Sequence, residues 1–129
     1  MTASSLFLDS SVWLGYFLGN LPETRLLIES EDTLLFSSII SIYEVFKRLK
    51  SVGKSDEDAR RALNFMEENS AIINLNKQIA INAVENSKKY RLHTIDSLIY
   101  STATETKATF ITADKDFKET PKTRILEIK

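Results

Sequence analysis

The sequence contains no cysteine and a single histidine, His93. The absence of cysteine excludes disulfides, thiolate metal sites and a cysteine nucleophile, and it favours a reducing, cytoplasmic location. One histidine excludes a metal site built from several histidine ligands. The longest apolar stretch, residues 12–21, is too short to cross a bilayer and is interrupted by Gly15 and Gly19. Carboxylates therefore remain as the main candidates for chemistry.

A large net charge is also missing, since 17 basic residues stand against 18 acidic ones. This balance argues against a general nucleic-acid binder. The basic residues are clustered within 47–54, 88–91 and 115–124. If four carboxylates bound a metal ion, the remaining charge would be +3, from 17 basic and 14 acidic residues. That balance suits a metal-dependent nuclease, although ordinary solvated faces explain the same clusters.

The 129 residues are sufficient for one domain, which we expect to span residues 1–129. Short apolar runs predict strands over 6–8, 33–37, 71–75, 109–112 and 124–128. Helical patterns fill the intervals, with Pro22 in a first turn, Gly53 as a stop, and Ser55, Asn76 and Thr94 as N-caps. This alternation predicts an α/β fold: a mainly parallel central sheet of four to five strands, covered by helices on both faces.

Binding sites in such sheets lie just beyond the carboxyl ends of the strands. Asp9 follows the first predicted strand, Asp114 follows the fourth, and Asp96 lies in the first turn of the helix before that strand. Each acid also has a structural explanation, as a helix cap, a favourable charge at a helix start, or a turn former. Ser10 or Ser11 could cap the first helix instead and leave Asp9 free.

Two further acids are harder to place from the pattern. Glu44 falls opposite the apolar stripe of its helix, where an ion pair with Arg48 would explain it. Periodicity neither places Glu44 in a pocket nor excludes one. Asp114 and Asp116, two residues apart, are expected to point different ways, so that only one faces a shared pocket.

Several carboxylates close together repel one another, and some would have to be protonated. A divalent cation removes that penalty. Carboxylate and water ligands suit Mg²⁺ or Mn²⁺, which activate water and polarise phosphodiesters.

Four segments, residues 8–13, 38–45, 94–99 and 110–117, resemble the four acidic motifs of PIN domains, in the same order. The similarity covers almost the whole chain, and its length resembles that of a stand-alone VapC-type toxin. This resemblance implies a Mg²⁺- or Mn²⁺-dependent endoribonuclease that cuts RNA. It also implies a homodimer and a VapB-like antitoxin whose tail occupies the active-site groove.

The resemblance assigns roles by position. It implies four catalytic acids: Asp9, Glu44, Asp96 and Asp114. Asp9 and Asp96 would hold the metal ion. Asp116 matches a position that is acidic in many relatives, and Ser10 and Thr112 match hydroxyl residues that support the acids. Three basic residues near the motifs are candidates for holding the RNA backbone by charge: Lys47, Arg48 and Lys115.

Other assignments stay open at this point. His93 could act as a general base, but a lone histidine at a helix start is more often structural. Trp13, Tyr16 and Phe17 could stack on bases, or belong to the core or a dimer contact. A PIN nuclease in RNA processing without an antitoxin, and a non-catalytic RNA- or protein-binding PIN-like module, are alternatives. A phosphatase with Asp9 as nucleophile would need an acid at position 11, which is Ser11.

Overall fold

The computed structural model describes residues 4–127, in which strands and helices alternate as the sequence predicts. The strands are β1 (Ser4–Leu8), β2 (Thr33–Ser38), β3 (Ala71–Ile73), β4 (Thr109–Thr112) and β5 (Thr123–Ile125). The helices are α1 (Ser10–Leu18), α2 (Glu23–Ile28), α3 (Ile39–Ser51), α4 (Asp56–Asn69), α5 (Lys77–Tyr90) and α6 (Thr94–Thr106). A 3₁₀ turn spans Lys115–Phe117.

The sheet has five parallel strands in the order β3-β2-β1-β4-β5. In the β1–β4 pair, Leu8 lies opposite Ile111, and the N–H of Asp9 donates to the Ile111 carbonyl over 2.9 Å. The chain adds β2 and β3 on one side of β1, then β4 and β5 on the other. The boundary between β1 and β4 is therefore a topological switch point, where ligands of open parallel sheets usually bind.

Successive side chains of each strand point to opposite faces of the sheet, and helices cover both faces. Leu8 and Ile111 pack into a core with α1, α3 and α4, whereas Phe7 and Phe110 pack into a second core with α6. All four side chains are 0–1% exposed. The predicted fold class, a parallel sheet of four to five strands between helical layers, is confirmed.

Among the aromatic residues considered for base stacking, Trp13 is a core residue. Its side chain is fully buried and its Nε1 donates to the Ser37 hydroxyl over 2.8 Å. Tyr16 and Phe17 are half-buried and pack against Phe65 of α4. These contacts join α1 to α4 on one face of the sheet.

Helix α1 is in direct contact with the segment that follows it. A Cβ at Gly15 would lie 2.6 Å from Leu21 Cβ, so no larger residue fits without movement. Gly19 ends the helix with φ at +72°, a conformation that favours glycine. The chain thereby turns back and brings Asn20 and Leu21 alongside α1.

Several helix ends follow the predicted capping pattern. The Ser55 and Asn76 side chains accept from the third helical N–H, and Gly53 follows α3 with φ at +94°. Thr94 is not a cap: it is the first residue of α6, and His93 occupies the cap position. Pro22 occupies the cap position of α2 rather than its first turn.

The remaining differences concern where strands begin and end. β3 ends at Ile73, two residues before the prediction, and β5 begins at Thr123. The predicted end of the last strand, Ile128, lies outside the described residues. Within residues 4–127, no helix combines the length and hydrophobicity that a transmembrane span requires.

Candidate active site

Four of the predicted acids line one cleft at the carboxyl edge of the sheet: Asp9, Glu44, Asp96 and Asp114. They come from four different elements, namely the ends of β1 and β4 and the helices α3 and α6. The cleft has a volume of about 270 Å³ and includes the Arg48 side chain. The parallel-strand rule thus placed Asp9 and Asp114 correctly at the same edge of the sheet.

Asp9 is held by two hydroxyl groups that bond to the same carboxylate oxygen. Thr112 donates to Asp9 Oδ2 over 2.7 Å, and Ser11 donates to the same atom over 2.9 Å. The two hydroxyls are themselves oriented, because Ser11 accepts from the Ala113 N–H and Thr112 accepts from the Asp114 N–H. Neither of these bonds goes to Oδ1. This clamp of two hydroxyls therefore fixes the carboxylate without bonding to its second oxygen.

Asp9 also occupies the N-cap position of α1, but its side chain makes no capping hydrogen bond. The helix-cap explanation of this acid is therefore wrong. Ser11, which we considered only as a possible cap, instead holds Asp9. A hydroxyl two residues after an acid at a strand end is a weak sequence signal, and only the fold shows which group it contacts.

Glu44 enters the cleft because α3 buries a different face from the one predicted. The buried residues of α3 are Ser41, Val45 and Leu49, whereas Ile42 and Phe46 are only half-buried. At 100° per residue, this face puts Glu44 at its border rather than opposite it. The small polar Ser41 carries no hydrophobic signal, which is why the apolar pattern misplaced the helix face.

Two serines position the Glu44 carboxylate. Ser10 Oγ lies 2.7 Å from Glu44 Oε1 and 2.9 Å from Ser41 Oγ. Ser10 has one hydroxyl hydrogen, so it donates to only one of these two acceptors at a time, and the charged carboxylate is the stronger acceptor. The predicted Glu44–Arg48 ion pair is not among the ion pairs within residues 4–127. Ser41 is a supporting residue that the sequence pattern missed.

Asp96, Asp114 and Asp116 form the tightest group of carboxylates. Each offers an oxygen atom within 4.8 Å of the others. Of Asp114 and Asp116, only Asp114 lines the cleft, as expected, although the exposed Asp116 still offers an oxygen beside Asp96. The chain turns here instead of continuing as a strand, and the Asp116 N–H donates to Asp114 Oδ1 over 2.9 Å.

The acids shift one another's ionisation. The pKa of Asp96 is raised from 3.8 to about 7, by burial first and then by the charges of Asp9, Asp114, Glu44 and Asp116. The pKa of Asp9 is raised from 3.8 to about 6, mainly by burial, against the lowering effect of its hydroxyl donors. No ion pair within residues 4–127 involves any of these five acids.

A hard divalent cation fits this set of donors. The cleft concentrates carboxylate oxygens, offers no nitrogen or sulfur ligand, and leaves negative charge without a paired cation. Mg²⁺ and Mn²⁺ prefer such oxygen ligands. Asp96 is central to the arrangement, because all four other acids raise its pKa.

The basic candidates differ in their positions. Arg48 lines the acid cleft, and Lys115 lines a groove that adjoins it. Lys47 lines neither and lies over the Tyr43 ring, 5.6 Å from its centroid. His93 is exposed and does not line the cleft, so the geometry offers no support for a general-base role.

Comparison with known proteins assigns the family. The family model for the PIN domain matches residues 6–123, and the chain belongs to this family. The family prediction is confirmed, and the structure is a single PIN domain. No curated protein matches the sequence at a significant level.

Solved structures similar to this chain include toxins and toxin–antitoxin complexes. A toxin–antitoxin complex from Klebsiella pneumoniae is 28% identical, with a TM-score of 0.78, covering 97% of this chain and 100% of that one. VapBC2 from Rickettsia felis, bound to a promoter DNA fragment, is 17% identical, with a TM-score of 0.76 and coverages of 95% and 99%. VapC20 from Mycobacterium tuberculosis, a toxin that cleaves the sarcin–ricin loop, is 13% identical, with a TM-score of 0.72 and coverages of 90% and 95%. The last two likenesses show the shared fold.

Removal of the Thr112 hydroxyl should weaken the clamp on Asp9. Thr112→Val leaves Asp9 Oδ2 with one donor and the Asp114 N–H without its acceptor, at a cost of about 1–3 kcal/mol in unfolding free energy. Urea unfolding measures this loss. Thr109→Val is the matched control on the same strand and should change stability by about 0.5 kcal/mol or less. Equal effects of the two substitutions would contradict the clamp.

Stability of the metal-free chain should fall as the pH rises. Because the folded-state pKa values of Asp9 and Asp96 are raised, their contribution is fully present below about pH 3.8 and is lost as the pH passes through about 6 to 7. Mn²⁺ should therefore raise the melting temperature more at about pH 8 than at about pH 5. Thermal melts in EDTA and in Mn²⁺ test this, with the double variant Asp9→Asn/Asp96→Asn as control. A pH-independent effect of Mn²⁺ would refute it.

Proposed function

We propose that this chain is a Mg²⁺- or Mn²⁺-dependent endoribonuclease and the toxin of a VapBC-type pair that acts in the cytoplasm. The observation that carries the proposal is the convergence of Asp9, Glu44, Asp96 and Asp114 on one cleft at the switch point of the sheet. Membership of the PIN family and the likeness to VapC toxins support it.

In this proposal, Asp9 and Asp96 would hold the metal ion, with the two hydroxyl bonds to Asp9 both going to Oδ2 and not to Oδ1. The bound ion would supply Lewis acidity to the phosphodiester and lower the pKa of a water molecule. Glu44 accepts the Ser10 hydrogen bond at Oε1, so Oε2 is available to take a proton from the attacking water. Asp114 completes the acidic wall, and Asp116 contributes a further oxygen beside Asp96.

The reaction is hydrolysis of an RNA phosphodiester. The water oxygen forms a bond to phosphorus, the bond from phosphorus to one ribose oxygen breaks, and that oxygen receives a proton. Arg48 in the cleft and Lys115 beside it neutralise phosphate charge on the approaching RNA, and Lys47 adds charge on the outer surface of α3. Ser10 and Thr112 act only by positioning the acids.

Cleavage of a panel of structured RNAs tests the nuclease. The wild type should cut with Mn²⁺ or Mg²⁺ and not with EDTA. Asp9→Asn and Asp96→Asn should each lower the rate by roughly 100-fold or more, since each removes a charge-stabilising ligand. Glu85→Gln, an exposed acid on α5 outside the cleft, is the matched control and should cut normally.

Each result that contradicts the nuclease proposal has a different meaning. Equal cutting by the wild type and both cleft variants would show a contaminating nuclease. If nothing cuts and Mn²⁺ does not raise the melting temperature, the acids are structural and the proposal fails. Inhibition of cutting by the product of an adjacent small gene would identify the antitoxin. A lack of such inhibition would favour an RNA-processing nuclease without an antitoxin.

A homodimer is part of the same proposal. Helix α6 packs against both α5 and α3, and these three helices expose apolar side chains: Tyr43, Ile81, Val84 and Ile95, which are 38–63% exposed. A patch of this kind on a small domain favours a protein interface.

Light scattering coupled to size exclusion tests the dimer. Val84→Lys should shift the chain to a monomer, because a charge would replace a 63%-exposed apolar side chain within the proposed interface. Leu26→Lys on α2 is the control, since Leu26 is 78% exposed but lies outside the patch. A monomeric wild type, or a dimer unchanged by Val84→Lys, would disprove this part of the proposal.

A further inference from the structure

A second groove continues from the acid cleft along helix α1. It has a volume of about 430 Å³ and shares Ser11, Leu14, Arg48 and Asp114 with the cleft. Its other lining residues are Gly15, Leu18, Asn20, Leu21, Ala113 and Lys115. A ligand group in the groove would therefore lie next to whatever occupies the acid cleft.

Two cations of the groove are available to an anion. Arg48 projects from α3 and Lys115 from the turn after β4, and both are exposed. Neither takes part in an ion pair anywhere in the part of the chain that the structure describes. Most other arginines of the described residues are paired; Arg60 and Arg61, for example, bond to acids one turn earlier on α4.

The rest of the groove combines an apolar wall with a free amide. Leu14 and Leu18 lie one turn apart on α1 and are half-buried. Asn20 is exposed, and its side chain makes no hydrogen bond with the residues of the described range 4–127. The close packing of Gly15 against Leu21 fixes the segment that carries Asn20. The amide can both donate and accept a hydrogen bond.

We propose that this groove binds the nucleotide adjacent to the scissile phosphate of a single-stranded RNA, and that Asn20 determines which base is accepted there. The inference rests on the proposed nuclease function. Arg48 and Lys115 hold the phosphate, Leu14 and Leu18 pack against a face of the base, and Asn20 bonds to the base edge. A nucleotide matches the groove because it joins an anion to a flat apolar ring with polar edges.

Nucleotide binding is measured apart from cutting. The full ¹⁵N-labelled chain in EDTA is titrated with the 5′-monophosphates of adenosine, guanosine, cytidine and uridine. The Asn20 side-chain amide and the Leu18 and Ala113 backbone signals should shift, most strongly with one of the four. Lys115→Gln should weaken binding roughly 2- to 5-fold. Lys118→Gln makes the same charge change outside the groove and should leave the affinity within about twofold.

Base choice is measured with RNA oligonucleotides that differ only at the bases flanking the cut. Asn20→Ala should reduce the preference at one flanking position roughly 2- to 12-fold, the size of one or more lost hydrogen bonds. Asn64→Ala on α4 is the matched control, since Asn64 is exposed and lies outside the groove. The base preference of the Asn64→Ala variant should equal that of the wild type.

The outcomes separate the inference from the function on which it rests. If the wild type cuts RNA but nucleotides shift no groove signal and Asn20→Ala keeps its preference, the inference is overturned and the nuclease stands. If nucleotides bind the groove but no RNA is cut, the nucleotide site stands and the nuclease falls. If a peptide from the antitoxin shifts the groove signals and nucleotides do not, the groove is a peptide site and the inference is wrong.

Discussion

Mutual repulsion among carboxylates is the constraint that the rest of this structure has to satisfy. Five acids approach the carboxyl edge of one small sheet, and burial, followed by the charges of the other four, raises the pKa of Asp96 to about 7. Nothing in the described residues neutralises them by ion pairing. Folding energy from the two apolar cores and from parallel strand pairing must hold them together, which is the usual condition of a site prepared for a cation.

Neutral hydroxyl groups supply the hydrogen bonds that stabilise two of these carboxylates. Ser11 and Thr112 bond to Asp9, and Ser10 bonds to Glu44. Because Ser11 and Thr112 also accept backbone N–H groups of the loop after β4, each of these two hydroxyls is satisfied as both donor and acceptor. Neutral donors stabilise the carboxylates without filling the cleft, whereas a lysine or arginine in their place would put a large charged group among the carboxylates.

The fold and half of the site could be predicted from particular residues. Alternation of short apolar runs with helical segments predicts a parallel sheet, and a parallel sheet places Asp9 and Asp114 at one edge. The positions of Glu44 and Ser41 could not be predicted, because the buried face of α3 includes a small polar residue that hydrophobic patterning ignores. The approach of Asp116 to Asp96 could not be predicted, because side-chain alternation holds in a strand and not in a 3₁₀ turn. The Glu44 assignment came from resemblance to a family and not from the pattern.

The order in which the chain is made has a bearing on the clamp around Asp9. Its strongest donor, Thr112, lies 103 residues further along the sequence, at the end of the strand that completes the switch point. A chain that is still being synthesised and lacks β4 can form neither the clamp nor the acid cleft. Long-range pairing of this kind is also slow to form relative to local helices. Whatever chemistry the cleft performs is therefore withheld from the nascent polypeptide until β4 has been synthesised.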